Sequence, residues 1–336
     1  MGNWSKTADN PLILASTMKI AVLAAYADAV VRGEFDPDEQ VTVADWEKYY
    51  LPLTEGGSHV TSLKSIRLDA DENGFAKDRT ATVSLKDLAR FMMHHSENAA
   101  TDYLIERLGA DRMAGIMQEA GLEHHTPIGP TLGVALAAFN HENPSFSMDP
   151  LQQMITDAMG GNTSGLDRLT ALYINDANWR ESQIEFMKSM NAPAVSGEAV
   201  WAYQVAAGQL LPQGTAREYA QMTAKIASGN LISSEASRIM QQLLESVPSD
   251  WILRLLFHER FGAKDGVTAG VVTLASYAVP KRGPLSNQTR VVVIIATNLP
   301  PVEWAGQVQF QGNYLLAVDL AQAGGEAQKF ARAGGE

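Results

Sequence analysis

The chain has 336 residues, with 26 Lys plus Arg against 38 Asp plus Glu, a formal charge of −12. Apolar residues make up 46% and charged residues 19%, a globular balance that excludes disorder as the main state and leaves room for one large domain or two ordinary ones. The acidic excess argues against nucleic acid or an anionic membrane surface as partner, since both demand a basic face, and the lack of cysteine removes disulfides, thiol catalysis and Cys-ligated zinc together.

The start, MGNWSKTADNPLILAS, has no basic region followed by an apolar core, so no signal peptide is expected and the compartment stays open. No apolar run reaches the length of a membrane helix. After Ser16, the residues Met18, Val22, Leu23, Tyr26 and Val30 recur at helical spacing, and Gly33 sits where a C-cap belongs. This predicts an amphipathic helix. Ser84 to His95 reads as a second helix. Ser84 is its N-cap, Asp87 follows three residues on, and Leu85, Leu88, Phe91 and Met92 form one stripe. Further helices are predicted over Ala99 to Leu108, Asp111 to Ala120, Thr215 to Ala227 and Ser234 to Glu245. The stretch 141–200, with NHENPSFSMDP at its start and a Gly-Gly-Asn, reads as a long loop carrying short helices. Val267 to Val279 and Arg290 to Thr297 read as strands, the second a β-branched run suited to burial. PKRGPLSNQ is the hairpin loop between them. Val308 to Ala323 predicts a last helix over that sheet, and AGGEAQKFARAGGE a frayed tail. A helical middle between sheet-forming ends predicts one α/β body with an all-α lobe inserted.

Three short motifs could carry chemistry. In Ser16-Thr17-Met18-Lys19, residues three apart share a helix face. A buried lysine one turn from a hydroxyl can take its proton. The spacing alone is weak, arising by chance roughly once in such a chain, and a capped helix with a surface lysine would look the same. Ser96-Glu97-Asn98 precedes a predicted helix. Its hydroxyl and amide could relay a proton and hold a carbonyl, or simply cap that helix. Lys264-Asp265-Gly266 opens the first C-terminal strand. Its lysine could hold an anion and its glycine admit a substrate against the strand edge, or the three could form a turn.

Taken in this order, the motifs resemble the S-x-x-K, S-D-N and K-T-G signature of the active-site-serine penicillin-recognising enzymes. The flanks are similar to class A β-lactamases: LASTMKIAVLAAY around Ser16, SLKDLARFMMHHSENAATDYLIERLG around Ser96, and TAREYAQMTAKIASGNLISSEASRIMQQLL, AKDGVTAGVVTLASYAV and TRVVVIIATN towards the C terminus. The resemblance covers residues 8 to 323 except 141–200. It implies an α/β (α+β sandwich) fold of the β-lactamase/transpeptidase type, with an antiparallel sheet flanked by helices plus an all-α lobe. It implies one domain over 1–336, with the α/β lobe from 1–35 and 255–336 and the helical lobe from 36–254, where 141–200 is an irregular insertion. Ser16 would be the nucleophile and Lys19 its proton acceptor. Ser96 would pass a proton to the leaving group, and Asn98 would bind substrate or orient Lys19. Lys264, with Asp265 and Gly266, would hold the substrate, and the backbone N–H groups of Ser16 and Val267 would form the oxyanion hole. The implied activity is serine acyl transfer on a β-lactam or a related amide or ester. The alternative is a penicillin-binding or sensor-like protein that is acylated with little turnover. No cofactor is implied, and the partner is a small-molecule substrate.

Three features depart from the pattern. The family's deacylation Glu-x-x-Leu-Asn does not occur in GLEHHTPIGPTLGVALAAFNHENP, where Glu142 is the nearest acid on the far side. Asp265 replaces a Thr or Ser that helps bind the substrate carboxylate, which favours substrates without one, and Glu97 replaces an Asp. Only 15 residues precede Ser16, which suggests a reduced sheet whose open edge would form a homodimer. His94, His95, His124, His125 and His141 lack metal-ligand spacing, so no metal is expected. Asp69, Asp71, Glu72 and Asn73 lack EF-hand spacing. Tyr49 or Tyr50 would supply the aromatic wall the family often has in that region.

Overall fold

The computed structural model describes residues 7–190, 197–246, 256, 258–282 and 285–322. Strand β1 (Leu12–Ile13) leads through a 3-10 turn (Ala15–Met18) into α1 (Lys19–Val31). Then come β2 (Gln40–Thr42), α2 (Val43–Trp46), a second 3-10 turn (Glu47–Tyr49), α3 (Ser58–Ser65), β3 (Thr82–Ser84), α4 (Leu85–His94), α5 (Asn98–Leu108) and α6 (Ala110–Ala120). Helices α7 (Thr131–Ala138), α8 (Met148–Met159), α9 (Ser164–Asn175), α10 (Ala177–Ser189) and α11 (Glu198–Ala207) follow. The chain continues with β4 (Gln213–Gly214), α12 (Ala216–Ala227), α13 (Ser234–Leu244), β5 (His258–Thr268), β6 (Val271–Pro280), β7 (Arg290–Ala296), α14 (Pro301–Phe310) and α15 (Gly312–Ala321). Among the described residues no helix is long and apolar enough to cross a membrane. This is the expected mixed fold, with a small antiparallel sheet and an all-helical lobe.

Contacts group the chain into two units. The first comprises Met1–Glu34, Asp111–Pro127 and Pro212–Glu336, and the second Phe35–Ala110 and Ile128–Leu211. In the first unit, β5, β6 and β7 form an antiparallel sheet in that order. Phe261, Ala263, Leu274 and Ala278 of this sheet pack against Tyr314, Ala317, Val318 and Ala321 of α15. Helix α1 packs on α13, and α12 on β6 and β7. Thr215 caps α12 by accepting from Glu218 N (3.2 Å), and Ser233 caps α13 by accepting from Ala236 N (3.0 Å).

The second unit is helical apart from the β2–β3 ladder. Ser84 caps α4 as expected, accepting from Asp87 N (3.2 Å) and donating to Asp87 Oδ2 (2.6 Å). Trp46 is fully buried and stacks on Phe91 at 5.4 Å. Asp102, buried on α5, caps α7 from outside. Its carboxylate accepts from Thr131 N (2.7 Å), Thr131 Oγ1 (3.0 Å) and Leu132 N (2.7 Å). Replacing Asp102 by alanine leaves those donors dry. We expect a loss of about 3 kcal/mol, read as a lower urea midpoint at unchanged slope.

Several expectations are corrected. The stretch 141–200 is not an irregular insertion: α8, α9, α10 and the start of α11 occupy it, while residues 191–196 lie outside those described. The run Val267 to Val279 is not one strand. It turns at Ala269-Gly270, where Gly270 takes a φ of +71° and lets β5 fold back on β6. The last helix breaks at Gln311 (φ +49°) into α14 and α15, and the tail from residue 323 lies outside the described residues. Helices α6, α12 and α13, placed by the sequence in the helical lobe 36–254, group with the first unit: α13 packs on α1 and α12, α12 packs on the sheet, and α6 is tied in by Arg112 to Asp28 of α1 (2.6 Å) and by Lys225 Nζ of α12 to Ala120 O (3.3 Å). Helix α1 is not amphipathic. Every residue from Lys19 to Ala29 is buried, the state of a helix apolar on all sides. The N-terminal strand β1 pairs with β4 rather than with the main sheet. Among the described residues β7 pairs with β6 alone, and its side chains are all half-buried.

Candidate active site

In the first unit the chain enters α1 through a tight turn. Ala15 takes a φ of +45°, a left-handed conformation that costs a non-glycine residue roughly 1–2 kcal/mol. Thr17 N closes the turn on Leu14 O at 3.0 Å. Two buried threonines fasten it to the sheet. Thr273 Oγ1 on β6 donates to Leu14 O (2.9 Å), so Thr17 Oγ1 is the donor in the 2.7 Å contact between the hydroxyls. Ser16 is half-buried at this turn, while Lys19, three residues on, is fully buried.

The strand facing this turn is β5, the edge of the sheet. An edge strand keeps one row of backbone groups clear of its neighbour, and here Lys264 O lies 3.4 Å from Thr17 Oγ1. Gly266 makes the approach possible. A Cβ there would stand 2.6 Å from Ser16 N, 2.8 Å from Leu14 O and 2.5 Å from Thr273 Oγ1. Lys264 is 2% exposed, and its Nζ donates to Asp265 O (2.8 Å) and Asp265 Oδ1 (3.1 Å). Crowding by protein opposes ionisation of Asp265, although 37% of its side chain meets solvent. Lys264 above all, with Lys19 adding, outweighs this and holds the carboxyl below its ordinary range. Val267 follows, 40% exposed and opposite Val272. Lys264 and Asp265 therefore lie well inside a strand that begins at His258, not at its opening. The structure thus gathers Ser16, Lys19, Lys264, Asp265 and Gly266 at one place in the first unit.

Ser96 and Asn98 belong to the second unit, at the junction of α4 and α5. Ser96 is half-buried with a φ of +57°. Glu97, between them, is the N-cap of α5. Its carboxylate accepts from Ala99 N at 3.2 Å and from Ala100 N. Trp46 Nε1 donates to the same carboxylate at 3.2 Å, and Asn98 N donates to Glu55 Oε2 at 2.6 Å. Sequence reasoning missed the group beneath this turn. His59 is fully buried, with Nδ1 3.0 Å from Glu97 Oε1 and Nε2 3.2 Å from Glu47 Oε1. Burial disfavours its charge, but the bonds to Glu47 and Glu97 prevail and raise its pKa to about 9. Among the described residues, Glu55, His59 and Glu97 offer ligand atoms within 4.8 Å of one another, a donor set that could meet a cation. Spacing alone gives little sign of them, since Glu97 lies 38 residues beyond His59.

The model of the β-lactamase enzyme family matches residues 3–271. The chain belongs to this family. Among solved structures, a β-lactamase from Sphaerobacter thermophilus is similar with a TM-score of 0.54 at 17% identity, covering 95% of this chain and 86% of that one. A β-lactamase from Francisella tularensis gives 0.51 at 13% identity, covering 95% and 89%. One from Chitinophaga pinensis gives 0.50 at 12%, covering 90% and 83%. At these identities the likeness establishes the fold. No curated protein matches the chain.

Within a β-lactamase framework the departures gain structural content. Glu142 is tied down by Trp179 Nε1 (3.1 Å) and lies 3.8 Å from Arg168, which gives it a bracing role. Tyr49 and Tyr50 do not form an exposed wall: both are buried, Tyr49 edge-on to Tyr103 and Tyr50 stacked on His59 at 4.0 Å. Asp71 Oδ1 accepts from Asn73 N and Phe75 N (2.8 and 2.9 Å), a loop-forming use. His124 pairs with Glu218, His125 with Tyr219, and His141 with Gln183. Burial pushes the His95 pKa down.

Proposed function

We propose that the protein is a serine acyl-transfer enzyme in which Ser16 forms an acyl-enzyme. The observation that carries this is the turn at Ser16, pressed against β5 with buried Lys19 one helical turn on and Gly266 making room. Family membership supports a serine hydrolase of β-lactam type. In the proposed reaction Ser16 Oγ attacks a carbonyl carbon and its proton passes to Lys19. The resulting oxyanion is held by the N–H groups of Ser16 and Val267, each such donor being worth about 3 kcal/mol. The tetrahedral intermediate collapses, the leaving group takes a proton by way of Ser96, and water later releases the acyl group. Asn98 binds substrate or orients Lys19. The assignments of Ser96 and Asn98 rest on the order of the family's motifs.

Two features narrow the reading. The absence of Glu-x-x-Leu-Asn and the bracing of Glu142 support slow deacylation of a β-lactam, so an adduct on Ser16 should outlast the mixing time. The experiment is incubation with a chromogenic cephalosporin, a short-chain nitrophenyl ester and a labelled penicillin, followed by intact-mass measurement. Turnover of any of them, or a stable adduct on Ser16, supports acyl transfer; an unmodified, inactive protein refutes it.

Asp265 puts a carboxylate on Lys264, the group that would otherwise meet the carboxylate of a penicillin. This favours neutral or cationic esters and amides. A like charge about 6 Å away at an effective dielectric near 20 opposes a carboxylate by ~3 kcal/mol, and partial exposure reduces this to ~1–2 kcal/mol. Asp265→Thr is therefore expected to speed acylation by penicillin about tenfold while leaving a neutral ester within about threefold. Equal effects on both substrates would remove Asp265 from substrate selection.

A further inference from the structure

We propose that His59 is a positioning residue for the second motif, clamping the Ser96–Asn98 turn through a Glu47–His59–Glu97 bridge. The proposal rests on the reading of Ser96 and Asn98 as acyl-transfer groups.

The bridge joins three separate stretches of chain, and its three side chains are 0% exposed. His59 Nδ1 reaches Glu97 and Nε2 reaches Glu47, at 3.0 and 3.2 Å. A neutral imidazole has one N–H and one lone pair, so it could satisfy one carboxylate and would turn a lone pair on the other. The imidazolium donates to both. Each carboxylate takes other donors as well. Glu97 takes Trp46 Nε1 and the first amides of α5. Glu47 takes Ala76 N (2.5 Å) and faces Arg79 Nε at 2.9 Å, while Arg180 donates to the Glu47 backbone carbonyl (2.8 Å). Glu55 approaches from the loop before α3 and holds Asn98 N. Tyr50 and Trp46 cover the imidazole faces, at 4.0 and 4.5 Å.

The clamp therefore ends, on one side, at the residue between Ser96 and Asn98. Ser96 has a left-handed backbone, a conformation that persists only where its surroundings enforce it. Release of Glu97 by His59 would loosen the start of α5 and the turn that carries Ser96 and Asn98.

The test uses the full chain labelled with nitrogen-15. Ring nitrogen shifts of His59 and amide exchange at Ala99 and Ala100 are measured at neutral pH, in wild type and in His59→Gln. Expected in wild type are two protonated ring nitrogens and slow exchange. In His59→Gln exchange at Ala99 and Ala100 should rise about tenfold, and acylation of Ser16 should fall about tenfold. A wild-type His59 with one ring nitrogen unprotonated, or amides that exchange as slowly in His59→Gln, overturns the proposal. So does a ring shift induced by zinc in chelator-treated protein, which would make Glu55, His59 and Glu97 a cation site instead. If His59→Gln does not fold, the wild-type ring nitrogens still decide. If wild-type Ser16 accepts no acyl group, the acyl-transfer reading fails, while the ring and amide signals report on the clamp independently.

Discussion

Ser16→Ala is expected to leave a folded protein that gains no mass on incubation with any acyl donor and turns over at least about a thousandfold more slowly than wild type. The half-buried hydroxyl sits at the end of a fastened turn whose other contacts use Ala15, Thr17 and backbone atoms. Its removal should shift the melting temperature by only a few degrees. The fall in activity is large because nucleophile and proton acceptor act as a unit, and losing one forfeits nearly the whole gain of the pair. Lys19→Ala should match it in activity, at a greater cost in stability because its stem is buried within α1. An adduct forming at the normal rate on Ser16→Ala, mapped by peptide mass, would place the nucleophile elsewhere.

Gly266→Val is expected to cost about 3 kcal/mol and to reduce acylation at least about a hundredfold. The atoms a Cβ would strike are the Ser16 backbone nitrogen, the Leu14 carbonyl and the Thr273 hydroxyl. None is the far end of a flexible side chain, so the turn and β5 must separate. That would displace Ser16 from the Val267 N–H proposed as its partner donor and break the threonine pair. A urea midpoint and an acylation rate measured together check this. Gly115→Ala is the matching control, since a Cβ there meets nothing and α6 should accept it. Normal acylation by Gly266→Val would mean that the approach of β5 to the turn does not matter to the chemistry.

Local chemistry made much of the fold legible. Ser84 with Asp87, Thr215 with Glu218 and the stripe of Leu85, Leu88, Phe91 and Met92 are short-range signals, and the helices they mark begin within a residue of expectation. Helices α8 to α10 were equally marked, by Leu151 and Ile155, by Leu166, Leu169 and Tyr173, and by Trp179, Gln183 and Met187. Their connectors obscured them: Pro150 falls in the first turn of α8, where proline is tolerated, and Gly160-Gly161-Asn162 joins α8 to α9. The Gly270 turn was hidden among Val, Thr and Ala residues that read as one strand. Ser16, Lys19, Ser96, Asn98 and Lys264 were candidates because a family resemblance gave their spacings meaning, and the structure brings Ser16, Lys19 and Lys264 together in the first unit. His59 had no such aid. Its role depends on Glu47 and Glu97, and a buried ion bridge between distant segments leaves no periodic trace.

The discontinuous build of the first unit governs the order in which the molecule can assemble. Helix α1, buried from Lys19 to Ala29, leaves the ribosome long before α13, which packs on it. The second unit has all of its chain by Leu211 and can condense while α1 still waits for its cover. A nascent or prematurely ended polypeptide thus carries a greasy, unsheltered cylinder near its start, the kind of surface that recruits chaperones or seeds clumping. Completion waits on α13 and on β5 and β6, whose packing back onto α1 and the Ser16 turn is a slow, long-range step.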